Sequence, residues 1–215
     1  MSGSRLLLAD DHPLIREGLA IAARVALPDL VIDSVGTIAE AESEIARHND
    51  YRLVLLDLVL PDAEGFSGFL KLQTLLGAVP IVIVSARQRP ELIETARLLG
   101  AAGYISKGLP LDETLLALRT VLAGGTAFPA PTAAGNGTND VMHRRIGVLS
   151  GAQLRVLIAL AGGRLNKQIA GDLGVTEATI KAHLTAIFRK LGVNNRTQAI
   201  LAVQPLLGEA VADTA

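Results

Sequence analysis

Five polar side chains stand at the ends of, or within, short apolar runs in the first half of the chain. Asp10 and Asp11 follow Leu6 to Ala9, Asp57 interrupts Leu53 to Leu60, Ser85 follows Ile81 to Val84, and Lys107 follows Tyr104 to Ser106. Three carboxylates brought together repel one another unless a cation sits between them, and an oxygen cage completed by waters and one phosphate oxygen suits Mg²⁺. An aspartate carboxylate can also be a covalent nucleophile that forms an acyl phosphate. The charge on transferring phosphoryl oxygens then needs the metal, a lysine and backbone N–H groups around it. A second set lies near the carboxyl end, where Lys181, Thr185 and Arg189 recur at every fourth position opposite Ile180, Leu184, Ile187 and Leu191. A basic helical stripe suits nucleic acid, because phosphate contacts supply most of the affinity and an α-helix fits the major groove.

The first set can act together only if the fold brings distant positions to one edge. The stretch from Arg52 to Gly65, RLVLLDLVLPDAEG, is the organising element: an apolar run broken once, by Asp57, and closed by a turn signal. Such a run reads as a strand buried on both faces of a parallel sheet, where a lone carboxylate is costly. Taken alone, Asp57 is either a strand-end residue that caps a turn or a nucleophile at the carboxyl edge of an open α/β sheet. The rest of the half decides between them. Leu6 to Ala9 is a first strand, and Leu14, Ile15, Leu19, Ala22, Ala23 and Ala26 then recur at helical spacing after Pro13. Leu30 to Val35, Ile81 to Val84 and Tyr104 to Ser106 are further strands. Helices are expected over Ile38 to Arg47 with Thr37 as cap, Phe66 to Leu76, Glu91 to Leu99 and Leu111 to Leu122, with Gly77 and Gly100 closing two of them. Strand and helix alternate five times, which predicts a five-stranded parallel, doubly wound α/β domain of the flavodoxin-like kind. In that fold every strand end named above lies on one edge.

From Gly124 to about Val148 the chain is rich in Gly, Pro, Thr and Asn without periodicity, and reads as a flexible linker. Beyond it, Ser150 can cap a helix through Leu160, Asn166 to Leu173 forms a short helix, Gly174 a tight turn, and Thr176 to Leu191 a longer basic helix. Asn195 to Val203 is a fourth, interrupted at Pro205. Short helix, turn and basic helix is the helix-turn-helix arrangement, so a small all-α four-helix domain is expected. The limits are 1–124 for the α/β domain, 125–148 for the linker, 149–206 for the helical domain and 207–215 for a tail.

Composition agrees with two soluble domains of different partners. Residues 1–124 hold 11 Lys/Arg and 16 Asp/Glu, whereas residues 149–206 hold 7 and 2. An acidic half points to metal or phosphodonor and a basic half to nucleic acid. The absence of cysteine in the 215 residues excludes disulfides, thiolate zinc sites and thiol redox chemistry. The amino terminus lacks a secretory pattern and no apolar run approaches the roughly twenty residues of a membrane span, so a cytoplasmic protein with no membrane partner is expected. The histidines His12, His48, His143 and His183 lack ligand spacing and are assigned to no metal.

Residues 4–123 resemble a response-regulator receiver domain, through Asp10-Asp11, Asp57 with Leu60-Pro61 and Gly65, Ser85-Ala86, and Gly103-Tyr104-Ile105-Ser106-Lys107. The resemblance implies that Asp57 accepts a phosphoryl group from a sensor histidine kinase, and that Asp11, Asp57 and the Val59 carbonyl bind Mg²⁺ directly with Asp10 helping through water. It further implies that Lys107 and the Ser85-Ala86 segment hold the phosphoryl group, and that Ser85 and Tyr104 form a switch pair. Residues 149–203 resemble a LuxR-type DNA-binding domain, through Asn166-Lys167-Gln168-Ile169-Ala170, Thr179 to Leu184 and Lys190 to Arg196. The DNA-facing residues expected are Asn166, Lys167, Thr176, Thr179, Lys181, Ala182, Thr185, Arg189 and Lys190. Leu165 and Gln168 depart from the serine and glutamate usual there, and Gly151-Ala152-Gln153 from Pro-Arg-Glu, so the base preference is not inherited. Together the halves are similar to the NarL/FixJ class of response regulator.

The expected function is therefore a DNA-binding transcription regulator, not an enzyme beyond Mg²⁺-dependent gain and loss of its own phosphoryl group, that forms a homodimer on phosphorylation through the face of its fourth helix, fifth strand and fifth helix. Two other classes remain: a phosphatase with an aspartyl-phosphate, which needs a second aspartate where Val59 stands, and a phosphorylation-independent regulator acting by protein contact.

Overall fold

The computed structural model describes residues 5–63, 65–130 and 145–207; the rest of the expected linker, 131–144, and the tail from 208 lie outside the described residues. The chain divides at Pro131 into two units.

In the first unit β1 (Arg5–Ala9), α1 (Pro13–Ala26), β2 (Val31–Val35), α2 (Ile38–Arg47), β3 (Tyr51–Asp57), α3 (Ser67–Leu76), β4 (Ile81–Ser85), α4 (Pro90–Leu99), β5 (Gly103–Ser106) and α5 (Leu111–Leu122) alternate as expected. All five strands are parallel, in the order β2-β1-β3-β4-β5. The three central strands are buried on both sides, because α-helices cover both faces of a parallel sheet. On one face Leu6, Leu8, Leu53, Leu55, Val82 and Val84 pack with Ala20 and Ala23 of α1 and Leu118 and Val121 of α5. The alternate residues Leu7, Val54, Leu56 and Ile83 are equally buried, as are Phe69 and Leu72 of α3. Phe69 meets Phe66 edge to face, with centroids 6.4 Å apart.

Local chemistry sets the helix ends. Proline opens α1 and α4. The Thr37 hydroxyl accepts from the Glu40 N–H, and the Asp62 carboxylate accepts from the Ile38 and Ala39 N–H groups at 2.9 Å each, so α2 has two side chains on its positive end. Gly77 and Gly100 close α3 and α4 with φ of 61° and 86°.

Two details differ from the sequence pattern. The apolar run of the third strand continues to Leu60, but β3 ends at Asp57; Leu58 and Leu60 stay buried in the following turn, where Leu60 bridges Ala63, so their hydrophobicity serves the turn's packing. Residues 125–130, assigned by composition to the linker, begin against the sheet. The Ala127 N–H donates to the Ala102 carbonyl (3.0 Å) and its carbonyl accepts from the Tyr104 N–H (2.8 Å), which pairs Ala127 with Gly103 in parallel. An edge strand has unpaired main-chain groups to offer, and β5 is an edge.

In the second unit α6 (Gly151–Ala161), α7 (Asn166–Asp172), α8 (Glu177–Leu191) and α9 (Arg196–Leu207) follow in order. Ser150 and Gln153 form a reciprocal capping box at the start of α6. Thr176 caps α8 by accepting from the Thr179 N–H at 3.2 Å. Gly174 (φ 64°) supplies the left-handed turn between α7 and α8. Leu154, Leu157, Ile169, Ile180, Ile187, Leu191 and Val203 form the core. The expected break at Pro205 is absent: α9 runs on to Leu207, since proline's fixed φ is a helical value and one missing N–H costs one bond near the helix end. Among the described residues no helix is long and apolar enough to cross a membrane.

Candidate functional site

The carboxyl ends of β1, β3, β4 and β5 gather Asp10, Asp11, Asp57, Ser85 and Lys107 as their spacing predicts. Register explains why: Ala9 pairs with Leu56, Asp57 with Val84 and Ser85 with Ser106, so each strand stops at the same level. Asp10 and Asp57 are buried, with 1% and 4% of their surface exposed, while Asp11 is exposed on the rim. The Lys107 ammonium lies 2.6 Å from Asp57 Oδ2 and 2.8 Å from Asp10 Oδ2. Its approach to Asp10 is off the hydrogen-bonding direction, so Asp10 Oδ2 is buried with an ion contact but no hydrogen bond. Asp57 Oδ1 accepts from the Val59 N–H at 3.1 Å.

Three carboxylates face one lysine, so the edge carries excess negative charge. Burial pushes the Asp57 carboxyl above its ordinary range, against the opposing pull of Lys107 and the Val59 N–H. For Lys107 burial acts to lower the pKa, but its contacts with Asp10 and Asp57 outweigh that and hold the ammonium charged. Asp10, Asp11, Asp57 and His12 each bring one ligand atom to within 4.8 Å of all the others. Converging carboxylates and a buried Asp10 oxygen without a hydrogen bond fit a divalent cation that prefers oxygen.

His12 is a member of this cluster that sequence spacing missed. Its Nδ1 lies 2.6 Å from Asp11 Oδ1 and 3.2 Å from Asp10 Oδ1, and 3.4 Å from Lys107 Nζ. The signal was its direct succession to Asp10-Asp11; the first turn of α1 folds the ring back over them. Arg16, one turn on, donates to the Asp10 carbonyl at 2.5 Å.

Around Ser85 the structure brings the expected switch residues together through the loop that follows β4. The Ser85 hydroxyl accepts from the Arg87 N–H (3.2 Å), and the buried Tyr104 donates its hydroxyl proton to the Arg87 carbonyl (2.6 Å). Burial raises the Tyr104 phenol pKa, so it remains the donor. Ala86 is exposed on the same loop, and Gln88, which the sequence did not single out, donates to the Ser106 hydroxyl at 2.8 Å.

On the second unit Lys181, Thr185 and Arg189 form one exposed face of α8, as their spacing predicts, with Ala182, expected from the family resemblance, exposed beside Lys181 and Thr176 exposed at the helix start. Lys181 pairs with Glu177 at 3.3 Å, one turn earlier. Thr179 is half-buried, its hydroxyl 2.9 Å from that of Thr176. Lys167 is exposed and Asn166 half-buried at the start of α7. Gln168 reaches back to accept from the Leu165 N–H (2.8 Å), which replaces part of the cap a leucine cannot supply. Lys190 differs from the other expected DNA residues: its ammonium donates to the Val148 carbonyl (2.9 Å) and to Gln153 Oε1 (2.8 Å), tying α8 to the start of α6.

An acidic, lysine-closed edge on a β2-β1-β3-β4-β5 sheet and a basic helix-turn-helix unit define a two-part signalling protein, with a phosphoacceptor module ahead of a DNA-binding one. Residues 6–119 match the response regulator receiver domain family, and residues 147–203 match the bacterial regulatory proteins of the luxR family. The chain belongs to the NarL/FixJ class of response regulators, and it is a phosphorylation-regulated, DNA-binding transcription regulator. It is 35% identical to the glycerol metabolism activator of Pseudomonas putida over 206 residues, 92% of this chain and 93% of that protein. It is 30% identical to the nitrate/nitrite response regulator protein NarL of Escherichia coli K12 over 199 residues, 90% of this chain and 92% of the relative. Its fold is similar to that of the RcsB response regulator of Salmonella typhimurium, with a TM-score of 0.55 at 18% identity, covering 95% of this chain and all of that one. It is also similar to RcsB of Salmonella enterica bound to promoter rprA in the presence of the phosphomimetic BeF₃⁻, with a TM-score of 0.52 at 19% identity over 94% of this chain and 98% of that one.

Proposed function

We propose that Asp57 is the phosphoryl acceptor of a two-component system, loaded by a sensor histidine kinase, and that its phosphorylation governs homodimerisation and DNA binding in the cytoplasm. The observation that carries this is the buried Asp57 carboxylate held 2.6 Å from Lys107 at an edge shared with Asp10 and Asp11. In the forward step an Asp57 oxygen attacks phosphorus, a carboxyl O–P bond forms and the P–N bond to the kinase imidazole breaks, the electron pair returning to that ring. Lys107 moves from the carboxylates toward the new phosphoryl oxygens, and the Ser85-Ala86 segment supplies the neighbouring hydroxyl and N–H. Asp10, Asp11, Asp57 and the Val59 carbonyl would hold Mg²⁺, which when bound neutralises charge on the transferring group. The same edge supports Mg²⁺-dependent loss of the phosphoryl group to water. The added charge of about −1.5 to −2 biases the Ser85–Tyr104 pair and the loop between them.

In the DNA-binding unit, Lys181, Ala182, Thr185 and Arg189 are the residues we assign to the major groove, with Asn166, Lys167, Thr176 and Thr179 near phosphates. The intramolecular contacts of Lys190 give it a lesser part. The organisation that fits this reading is a receiver whose boundary, placed at 124 by composition, extends through the residues paired with β5, and a DNA-binding domain over 149–206, joined by a tether.

The test is the intact mass of the protein after a small-molecule phosphodonor, with and without Mg²⁺, for the native chain and for Asp57→Asn. A Mg²⁺-dependent gain of one phosphoryl group, absent in the variant, together with tighter binding to promoter DNA, is the expected result. Equal labelling of Asp57→Asn would overturn the assignment. DNA binding indifferent to a labelled Asp57 would instead favour regulation by protein contact.

A further inference from the structure

β5 is the last strand of the sheet, so its outer edge offers main-chain groups to whatever lies beside it. Residues 125–128 take that place, held by three neighbours. The Gly125 N–H donates to the Thr120 carbonyl of α5 at 2.9 Å. Ala127 bonds the main chain on both sides of Gly103. The Arg97 guanidinium of α4 lies 4.2 Å from the centre of the Phe128 ring. Gly103 leaves room for this approach, since a Cβ there would fall 2.5 Å from the Ala127 oxygen. A strap therefore crosses the sheet edge between α4 and α5.

One of its two ladder bonds is donated by the amide of Tyr104, whose hydroxyl is tied to the Arg87 carbonyl in the loop after Ser85. Directly beyond β5 stands Lys107, in contact with Asp57 and Asp10. Strap and acidic edge are thus the two ends of a single four-residue strand.

We propose that the strap is an autoinhibitory clip, closed on β5 before phosphorylation and released by it. The proposal rests on Asp57 being the phosphoacceptor. A phosphoryl group at Asp57 redirects Lys107, Ser85 and Tyr104. A strand this short has no slack to absorb that shift, and the strap is its only partner on the open side among the described residues. Release does two things. It adds residues 125–128 to the chain leading to the DNA-binding unit, up to roughly 13 Å at about 3.3 Å per residue. It also bares the β5 edge between α4 and α5, an open main-chain ladder on which a second copy of the receiver can pair.

The experiment uses the full chain with Mg²⁺ and beryllofluoride as the phosphoryl analogue. Fluorine NMR reports bound analogue, and hydrogen exchange read by mass spectrometry reports the amides of residues 125–128. The clip predicts that bound analogue speeds strap exchange by about ten-fold or more. Phe128→Ala leaves the sheet itself untouched. It is expected to exchange fast without the analogue and, by reciprocity of linked equilibria, to bind it about three-fold more tightly. Gly103→Ala should act in the same direction by displacing Ala127. A bound-fluoride signal with unchanged strap exchange overturns the clip and leaves the Asp57 reading standing. No fluoride signal from the native chain overturns both.

Discussion

Replacing Lys107 by methionine removes the cation from the acidic edge while keeping an unbranched stem of similar length in the same space. The ammonium is 2.6 Å from Asp57 and 2.8 Å from Asp10, and all three side chains are largely withdrawn from water, at 11%, 2% and 1% exposed. Breaking a buried pair by removing one partner costs about 3–5 kcal/mol, because the charge left behind has lost both water and its counter-ion. In a unit of this size each kcal/mol is worth about 4 °C, so Lys107→Met should melt about 12 °C or more below the native protein at pH 7 without divalent cation. The pH dependence follows from Asp57, whose carboxyl is already held above its ordinary range by burial. A group raised in the folded state stabilises the fold below its unfolded pKa, and that contribution is lost as pH rises through the folded pKa. Without Lys107 the Asp57 value rises further, so the deficit should be full at pH 7 and shrink on titration toward about pH 4. Asp57→Asn made in the Lys107→Met background should recover about half of the loss, because one of the two stranded charges is gone. The assay is thermal unfolding by circular dichroism over that pH range. A Lys107→Met protein that melts within a few degrees of native at pH 7, with no narrowing of the gap on acidification, would refute the account of Lys107 as the internal cation of the cluster.

Four further substitutions probe other parts of the molecule. Asp62→Ala removes the carboxylate that accepts from the Ile38 and Ala39 N–H groups. Desolvation opposes these bonds, but they prevail and hold the Asp62 carboxyl below its usual range. Its stabilisation is therefore present above about pH 4 and lost as pH falls through the depressed value, so native and variant should differ in urea midpoint at pH 7 and converge in acid. Thr176→Ala deletes the cap of α8 and should cost about 1 kcal/mol, seen by calorimetry as a lower melting temperature with the first unit unchanged. Lys167→Ala should weaken DNA binding evenly across sequences and lower the salt slope by about 1, whereas Lys181→Ala should cost about 1–3 kcal/mol and relax base preference; anisotropy titrations against salt and against altered sites separate the two.

The alternation of apolar runs with helical periodicity sufficed for the receiver's topology, because a parallel doubly wound sheet is the arrangement that buries such runs on both faces. The residues of the acidic edge were legible for the same reason, since a polar side chain ending a buried strand can lie only at the sheet's carboxyl edge. Leu58 and Leu60 misled the reading of β3, as hydrophobicity reports burial and not pairing, and a tightly packed turn is buried too. Pro205 misled in the opposite direction, as a breaker by propensity that the last turns of α9 accommodate.

What the sequence alone determined, then, is which residue types end which strands and which stripe of α8 is basic. Both follow from periodicities of two and 3.6 residues that need no long-range information. Tertiary structure decided the rest. His12 meets Lys107 only because β1 and β5 end on the same edge of the sheet, and Lys190 joins α6 only because the helices pack. Ala127 finds its partner only because the strand order leaves β5 at the edge, and no pattern within the Gly- and Pro-rich stretch around it encodes a main-chain bond to Tyr104. Contacts of this kind depend on where the backbone of a distant element comes to rest, so composition labelled the strap a linker while the sheet's free edge made it part of the receiver.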